Sequence, residues 1–262
     1  MPRRIVLLLV GFISASLMVI AHARPVAAQA AGGTIEGVVH LTGSAPANSI
    51  IRMGADPRCS KPYAGKRITQ ETVLVGTGGG LANAFVNVQG SFPNTPAPSA
   101  SVMIDQQGCI YRPHVLGAQV GQTLEIKNSD PTMHNLHSLS TRGNSFNTSQ
   151  PSAGMVFKIQ LKNEDVMLHL KCDVHSWMNS YIGVVTNPYF AVSGSDGSFR
   201  IAGVPAGKRM IQVWHERFGP LTQAVDVKAG ATTKVDFSYT GTEKPAPAAG
   251  LPIRELTLAM AN

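Results

Sequence analysis

The chain has 262 residues, with 22 Lys and Arg against 15 Asp and Glu, a formal charge of +7. Charged residues make up 14% and hydrophobic ones 44%, a balance that excludes a disordered polyelectrolyte and fits one large or two small folded domains. No cluster of Lys and Arg interleaved with aromatic residues occurs, so nucleic acid is not an expected partner.

Met1–Arg4 carries two arginines, Ile5–Ala21 is apolar or small throughout, and Ala21-His22-Ala23 and Val26-Ala27-Ala28 each offer a small-x-small cleavage site. That succession describes a secretory signal peptide over 1–28; a single membrane anchor is the alternative for the same run. The expected location is periplasmic or secreted, with no membrane attachment in the mature form. Such a compartment permits disulfides. The cysteines are Cys59, Cys109 and Cys172, and an odd count asks for one pair and one thiol with another task. Cys172 has a metal-ligand neighbourhood, so by elimination Cys59 and Cys109 are the candidate disulfide; two separately buried thiols are the alternative.

Almost every later segment reads as strand. Thr34–Thr42 is short and β-branched, and Ala84–Gln89 alternates. Gly90–Ala100 is rich in Pro and Ser and reads as a linker or long loop. Val120–Lys127 follows. Met155–Leu161 alternates, with Val156 and Lys158 on one face and Phe157, Ile159 and Leu161 on the other. In Val166–Cys172, Val166, Leu168, Leu170 and Cys172 share one face, opposite Met167, His169 and Lys171. Period-2 alternation bounded by Gly, Pro, Asn and Ser predicts half-buried strands. No interior window has a 3.6-residue amphipathic pattern, so the expected fold class is all-β, built of sandwiches. The tail 240–262 reads as flexible, with one short helix conceivable over Ile253–Met260.

The chemistry concentrates in Cys172-Asp173-Val174-His175-Ser176-Trp177-Met178. A thiolate, an imidazole and a thioether follow one another at a strand end, the donor mixture that copper electron-transfer sites use: two His and one Cys in a plane, with a long axial Met. The second histidine must come from elsewhere, and Asn128-Ser129-Asp130-Pro131-Thr132-Met133-His134-Asn135 supplies it, delivered by the strand Thr123–Lys127 and a polar turn. The pattern N-x-D-x-x-x-H-N followed by C-x-x-H-x-x-M resembles the copper signature of cupredoxins, the plastocyanin and azurin superfamily, and its short ligand loop is similar to that of amicyanin. Tyr181–Val185 resembles the closing strand of that fold. Over 100–187 the resemblance implies a Greek-key sandwich holding one mononuclear type 1 copper on His134, Cys172, His175 and Met178, with Asn135 bracing the ligand loops. Leu168 and Leu170 depart from the pattern, standing where cupredoxins often place Tyr or Phe. His137, three residues after His134, is a rival ligand that would complete a Cys-His₃ zinc site or a Cu(I) site without redox function. If copper is held as the resemblance implies, His175 lies in a surface loop and its exposed edge is the electron exit, with Ser176, Trp177 and Asn179 bordering a partner patch.

The second module is Gly194-Ser195-Asp196-Gly197-Ser198-Phe199-Arg200-Ile201 followed by Gly203-Val204-Pro205-Ala206-Gly207 and Met210–His215. Asp196-Gly197 between apolar strands signals a hairpin. The order is similar to the carboxypeptidase regulatory-like (transthyretin-like) β-sandwich, a smaller, non-catalytic accessory domain. Its opening strands match Gly37-Val38-Val39 and Ala84-Phe85-Val86-Asn87-Val88, far upstream. The expected organisation is therefore a regulatory-like sandwich made of 34–90 and 188–239, with the cupredoxin-like domain 100–187 inserted in it.

His114, at a strand start, is a minor ligand candidate, and His169 lies on the strand face away from Cys172. Trp214, His215 and Glu216 are expected to pack at a domain interface. An enzyme fits worst: the H-x-H and H-C-H clusters of multicopper oxidases, a C-x-x-x-C pair and G-x-S-x-G are all missing from the sequence. The leading expectation is an exported one-electron carrier with a redox partner protein. A copper-storing or zinc-binding module, and a structural β-protein with a vestigial site, are the alternatives.

Overall fold

Alternation of β-branched and polar residues leaves the backbone few ways to satisfy its N–H and C=O groups other than sheet ladders. The computed structural model describes residues 32–54, 56–92 and 95–245; the expected signal peptide, the Ile253–Met260 helix and most of the tail lie outside them. The strands are β1 (Gly33–Leu41), β2 (Phe85–Gln89), β3 (Val102–Gln106), β4 (Tyr111–Arg112), β5 (Val115–Gln119), β6 (Thr123–Asn128), β7 (His134–Ser138), β8 (Asn147–Gln150) and β9 (Val156–Gln160). They continue as β10 (Asp165–Lys171), β11 (Asn179–Val185), β12 (Phe190–Val192), β13 (Ser198–Val204), β14 (Gly207–His215), β15 (Gly219–Val227), β16 (Thr232–Lys234) and β17 (Phe237–Tyr239). One four-residue helix, α1 (Pro57–Ser60), lies in the long β1–β2 connection, with Asp56 as its N-cap accepting from the Arg58 N–H. The fold is all-β, as the sequence predicts.

Four sheets form two layered pairs. In the first pair, β1 runs between β13 and the parallel β16 and β17, and faces a sheet ordered β12-β2-β14-β15. Strands from both ends of the chain therefore pair: β1 with β13, and β2 with β14. Their core includes Ile35, Val39, Val86, Phe199, Ile211 and Val213. The second pair packs β5-β11-β10-β7-β8 against β4-β3-β6-β9, over a core including Ile104, Leu124, Ile126, Leu136, Leu170 and Ile182.

Some local expectations need correction. The turn at Asp196-Gly197 is not a hairpin within one sheet: it joins β12 and β13, which pair in different sheets, as the Pro205-containing turn does for β13 and β14. Both turns are sandwich corners. The alternation in β9 does not mark a half-buried strand, because Val156 and Phe157 are both exposed on the edge of their sheet. In β10 the shared face of Leu168, Leu170 and Cys172 holds, but a bulge between Val166 and Leu168, with Met167 at φ 70°, turns Val166 towards the seam between the sandwiches. A bulge adds one residue to one strand and so breaks the period-2 rule locally.

Candidate metal centre

Three donors converge at one end of the second sandwich. His134 opens β7, Cys172 follows the last residue of β10, and His175 sits in the loop that leads to β11. His134, Cys172 and His175 place their ligand atoms within 4.8 Å of one another, and all three residues are buried. Met178 closes the same loop, is 1% exposed, donates its N–H to the His175 carbonyl at 2.9 Å and accepts from the Cys172 N–H at 3.2 Å. These two bonds fold the C-x-x-H-x-x-M segment into a tight turn whose side chains cannot disperse.

The histidines are oriented from behind. His134 Nε2 meets Asp130 Oδ2 at 2.9 Å, and His175 Nε2 meets Asp56 Oδ2 at 3.1 Å. A carboxylate only accepts, so each Nε2 carries the hydrogen and each Nδ1 presents a lone pair. Those two lone pairs face each other, with Nδ1 to Nδ1 at 2.9 Å. Such an arrangement is repulsive unless a cation lies between them. The spacing suits two nitrogen ligands of one ion, whose bonds run about 2.0–2.1 Å for zinc and its neighbours. Without a metal, a proton must serve. Burial opposes a charged His134, yet the hydrogen bonds it donates to Asp130 and to the Cys172 sulfur outweigh it and raise its pKa. Burial and the neighbouring His134 depress that of His175, against the pull of Asp56.

The environment of Cys172 favours the ionised thiol. Burial alone would raise its pKa, but His134 and the N–H groups of Asn135, His175 and Val174 lower it; the His175 N–H lies 3.4 Å from the sulfur. Asn135 clamps the two ligand segments together. Its Oδ1 accepts from the Asp173 N–H at 2.7 Å and lies 3.2 Å from Cys172 Sγ, its Nδ2 donates to Asn147 and Asp173, and its carbonyl accepts from the buried Tyr111 hydroxyl. Asp130 holds the β6–β7 turn as well as His134, accepting from the N–H groups of Gly108 and Cys109, each at 2.7 Å.

A cover lies over His175. Cys59 and Cys109 are joined across a sequence separation of 50, and Cys59 Sγ is 3.6 Å from His175 Nε2. Ile51, Met53 and Cys59 are buried in the core beneath. Tyr63 donates to the Gly108 carbonyl and Gln70 to that of Trp177. Trp177, half-buried, packs its ring 4.9 Å from His175 and donates its indole N–H to the Cys109 carbonyl. The expected exposed edge of His175 is therefore absent: His175 is 3% exposed, because a segment from another part of the chain is stapled across its loop.

His137 does not join the group. It points away from His134 along β7 and pairs with Asp173 at 3.0 Å at the surface. His114 is buried against Glu216 at 2.6 Å, and His169 bonds Asn179 Oδ1 at 2.9 Å; neither is part of the converging set. Asp56 was not foreseen. Its one sequence-level trace is an Asp before Pro at a helix start, a capping signal that says nothing of a histidine 119 positions away.

No protein-family model and no curated protein matches the chain. Among solved structures it is similar to a Cu-containing nitrite reductase from Thermus scotoductus SA-01, at 21% identity and TM-score 0.31 over 36% of this chain and 24% of that one. It is also similar to a purple cupredoxin from Nitrosopumilus maritimus (23% identity, TM-score 0.29, 32% of this chain and 99% of that one). A third similarity is to amicyanin in a Cu(I) form (14% identity, TM-score 0.29, 38% and 97%). The chain spans about a quarter of the nitrite reductase it matches.

Proposed function

We propose that this protein is an exported type 1 copper protein that carries one electron, with His134, Cys172 and His175 as the equatorial ligands and Met178 as the axial one. The observation that carries the reading is the pair of Nδ1 lone pairs held face to face by Asp130 and Asp56, beside a cysteine biased to thiolate. Soft thiolate and thioether with two imidazoles suit both oxidation states of copper. When bound, copper supplies a reversible one-electron couple.

The chain's own part is rigidity. Asp130 and Asp56 fix each imidazole's tautomer and ring angle, which raises ligand basicity. Asn135 locks the two ligand segments, and the disulfide-stapled cover excludes water. A centre that cannot rearrange offers both oxidation states the same cage, the condition for fast exchange. The place of His137 outside the group argues against the Cys-His₃ zinc alternative, and zinc gains little from a thioether. We further read 34–90 with 188–239 as a regulatory-like sandwich interrupted by a cupredoxin-like domain, supported by the pairing of β1 with β13 and β2 with β14.

Protein purified from its native source is expected to carry one copper per chain and to give a reversible one-electron voltammetric wave. Met178→Leu should keep the copper and raise the reduction potential, since the axial ligand tunes it. Stoichiometric copper with no reversible wave would instead favour a metal-holding module without redox role, the second reading, which the burial of His175 favours.

A further inference from the structure

A carrier needs a route for its electron, and both imidazole edges are closed. His134 is fully buried with Nε2 on Asp130. His175 Nε2 faces Asp56 and the Cys59–Cys109 disulfide, with the Trp177 ring alongside.

Cys172 opens another way. Its backbone N–H donates to the Met178 carbonyl at 3.2 Å. The next residue, Asn179, offers Oδ1 to His169 Nε2 at 2.9 Å. The His169 ring stacks on Tyr181 with centroids 4.8 Å apart and planes at 14°. Tyr181 in turn packs 5.2 Å from Trp214, which belongs to β14 of the other sandwich. His169, Tyr181 and Trp214 are all half-buried, so the series runs from the buried sulfur to the surface at the seam. Glu216, in the turn two residues beyond Trp214, pairs with His114 at 2.6 Å and ties the two sandwiches together at this point. Electron tunnelling falls steeply with distance and couples best through covalent bonds, hydrogen bonds and rings in contact, and this series supplies a hydrogen bond, one stacked pair and one tilted pair in sequence.

We propose that the His169–Tyr181–Trp214 series of rings is the electron port, over which one electron passes between the Cys172 thiolate and a one-electron acceptor outside the chain. The inference rests on the copper-carrier reading. The step moves one electron and no atoms: the reduced centre loses it and a one-electron acceptor gains it.

The chain has two tryptophans, one at each rival port: Trp177 over His175, and Trp214 at the end of the ring series. Hexacyanoferrate(III) serves as acceptor, and the redox-inert hexacyanochromate(III), of the same charge and shape, as paramagnetic probe. The reduced and the metal-free wild-type protein should each show broadening of the Trp214 indole N–H resonance by hexacyanochromate, with Trp177 spared. Trp214→Leu and His169→Leu should each slow oxidation by hexacyanoferrate at least tenfold, with the blue absorption and reduction potential unchanged. Broadening confined to Trp177, or oxidation rates unchanged in both variants, would overturn the port. A wild-type protein with no blue absorption would instead defeat the copper reading itself, before any rate is measured.

Discussion

Asp56 and Asp130 hold the candidate centre as firmly as the converging donors do. Each takes the Nε2 hydrogen of one histidine and so turns a lone pair inward. Asp130→Asn can still fill the space, but an amide exposes the imidazole to the wrong tautomer and removes the charge that favours a bound cation. Loss of such a partner typically costs 10–100-fold in metal affinity, and chelator competition should show a weakening of about that size for Asp130→Asn. The converging donors themselves were legible, because a thiol, an imidazole and a thioether at fixed spacing after an alternating strand is a local signal. Asp56 was not, because its contact is set by a chain reversal between distant segments, and no local pattern encodes that. A different residue-scale feature governs acid stability. His215 is fully buried, its Nδ1 accepts the Arg217 N–H, and its Nε2 has no partner among the described residues. Burial, with the nearby His114, pushes its pKa down to about 3. Below the ordinary histidine value near 6.5 the unfolded chain takes up a proton that the folded chain refuses. Folding stability should therefore fall as pH drops from about 6.5 towards 3, by up to about 1.4 kcal/mol per pH unit from this group. Denaturant unfolding at several pH values would show the slope, and His215→Phe should flatten it.

At the scale of elements, the long β1–β2 connection matters most. Its residues between Ile51 and Gln70 leave their own sandwich and lie over the neighbour's ligand loop, held by one disulfide and by the Tyr63 and Gln70 hydrogen bonds. Without the staple this cover keeps its apolar foothold in Ile51 and Met53, with Tyr63 and Ile68 packed beside them. In the chain-entropy model, closing a loop of about 50 residues stabilises by about 4 kcal/mol. The double variant Cys59→Ser, Cys109→Ser should lose a large part of that, and a chelator should extract its copper faster than from the parent. Equal extraction rates would mean the cover does not limit access to the centre. Strand identity was mostly readable from alternation, yet β9 and the Met167 bulge show its limits. A sequence marks which residues alternate, but whether a strand is an edge, and where one extra residue is inserted, depends on its neighbours.

Over the whole molecule, the two layered pairs meet at a seam built by removing side chains. Gly117 and Gly183 sit opposite each other on β5 and β11, and a Cβ on either would lie 2.3–2.4 Å from the Phe190 or Phe85 ring. The bare backbone there lets the aromatic rings of one sandwich lie flat on a sheet of the other, with Val115 and Val185 completing the contact. This close approach is what brings Trp214 within reach of Tyr181. The split of one sandwich across the chain could be suspected from scattered strand motifs, because β-sheet pairing tolerates long connections between partners. The cover and the seam could not, since both arise only when two separately patterned units are placed together.

The most direct test of the central claim is the visible spectrum of the copper-loaded, oxidised protein. Intense blue absorption from thiolate-to-copper charge transfer is expected, and its complete loss in Cys172→Ser. A colourless protein that carries stoichiometric zinc from its native source would contradict it.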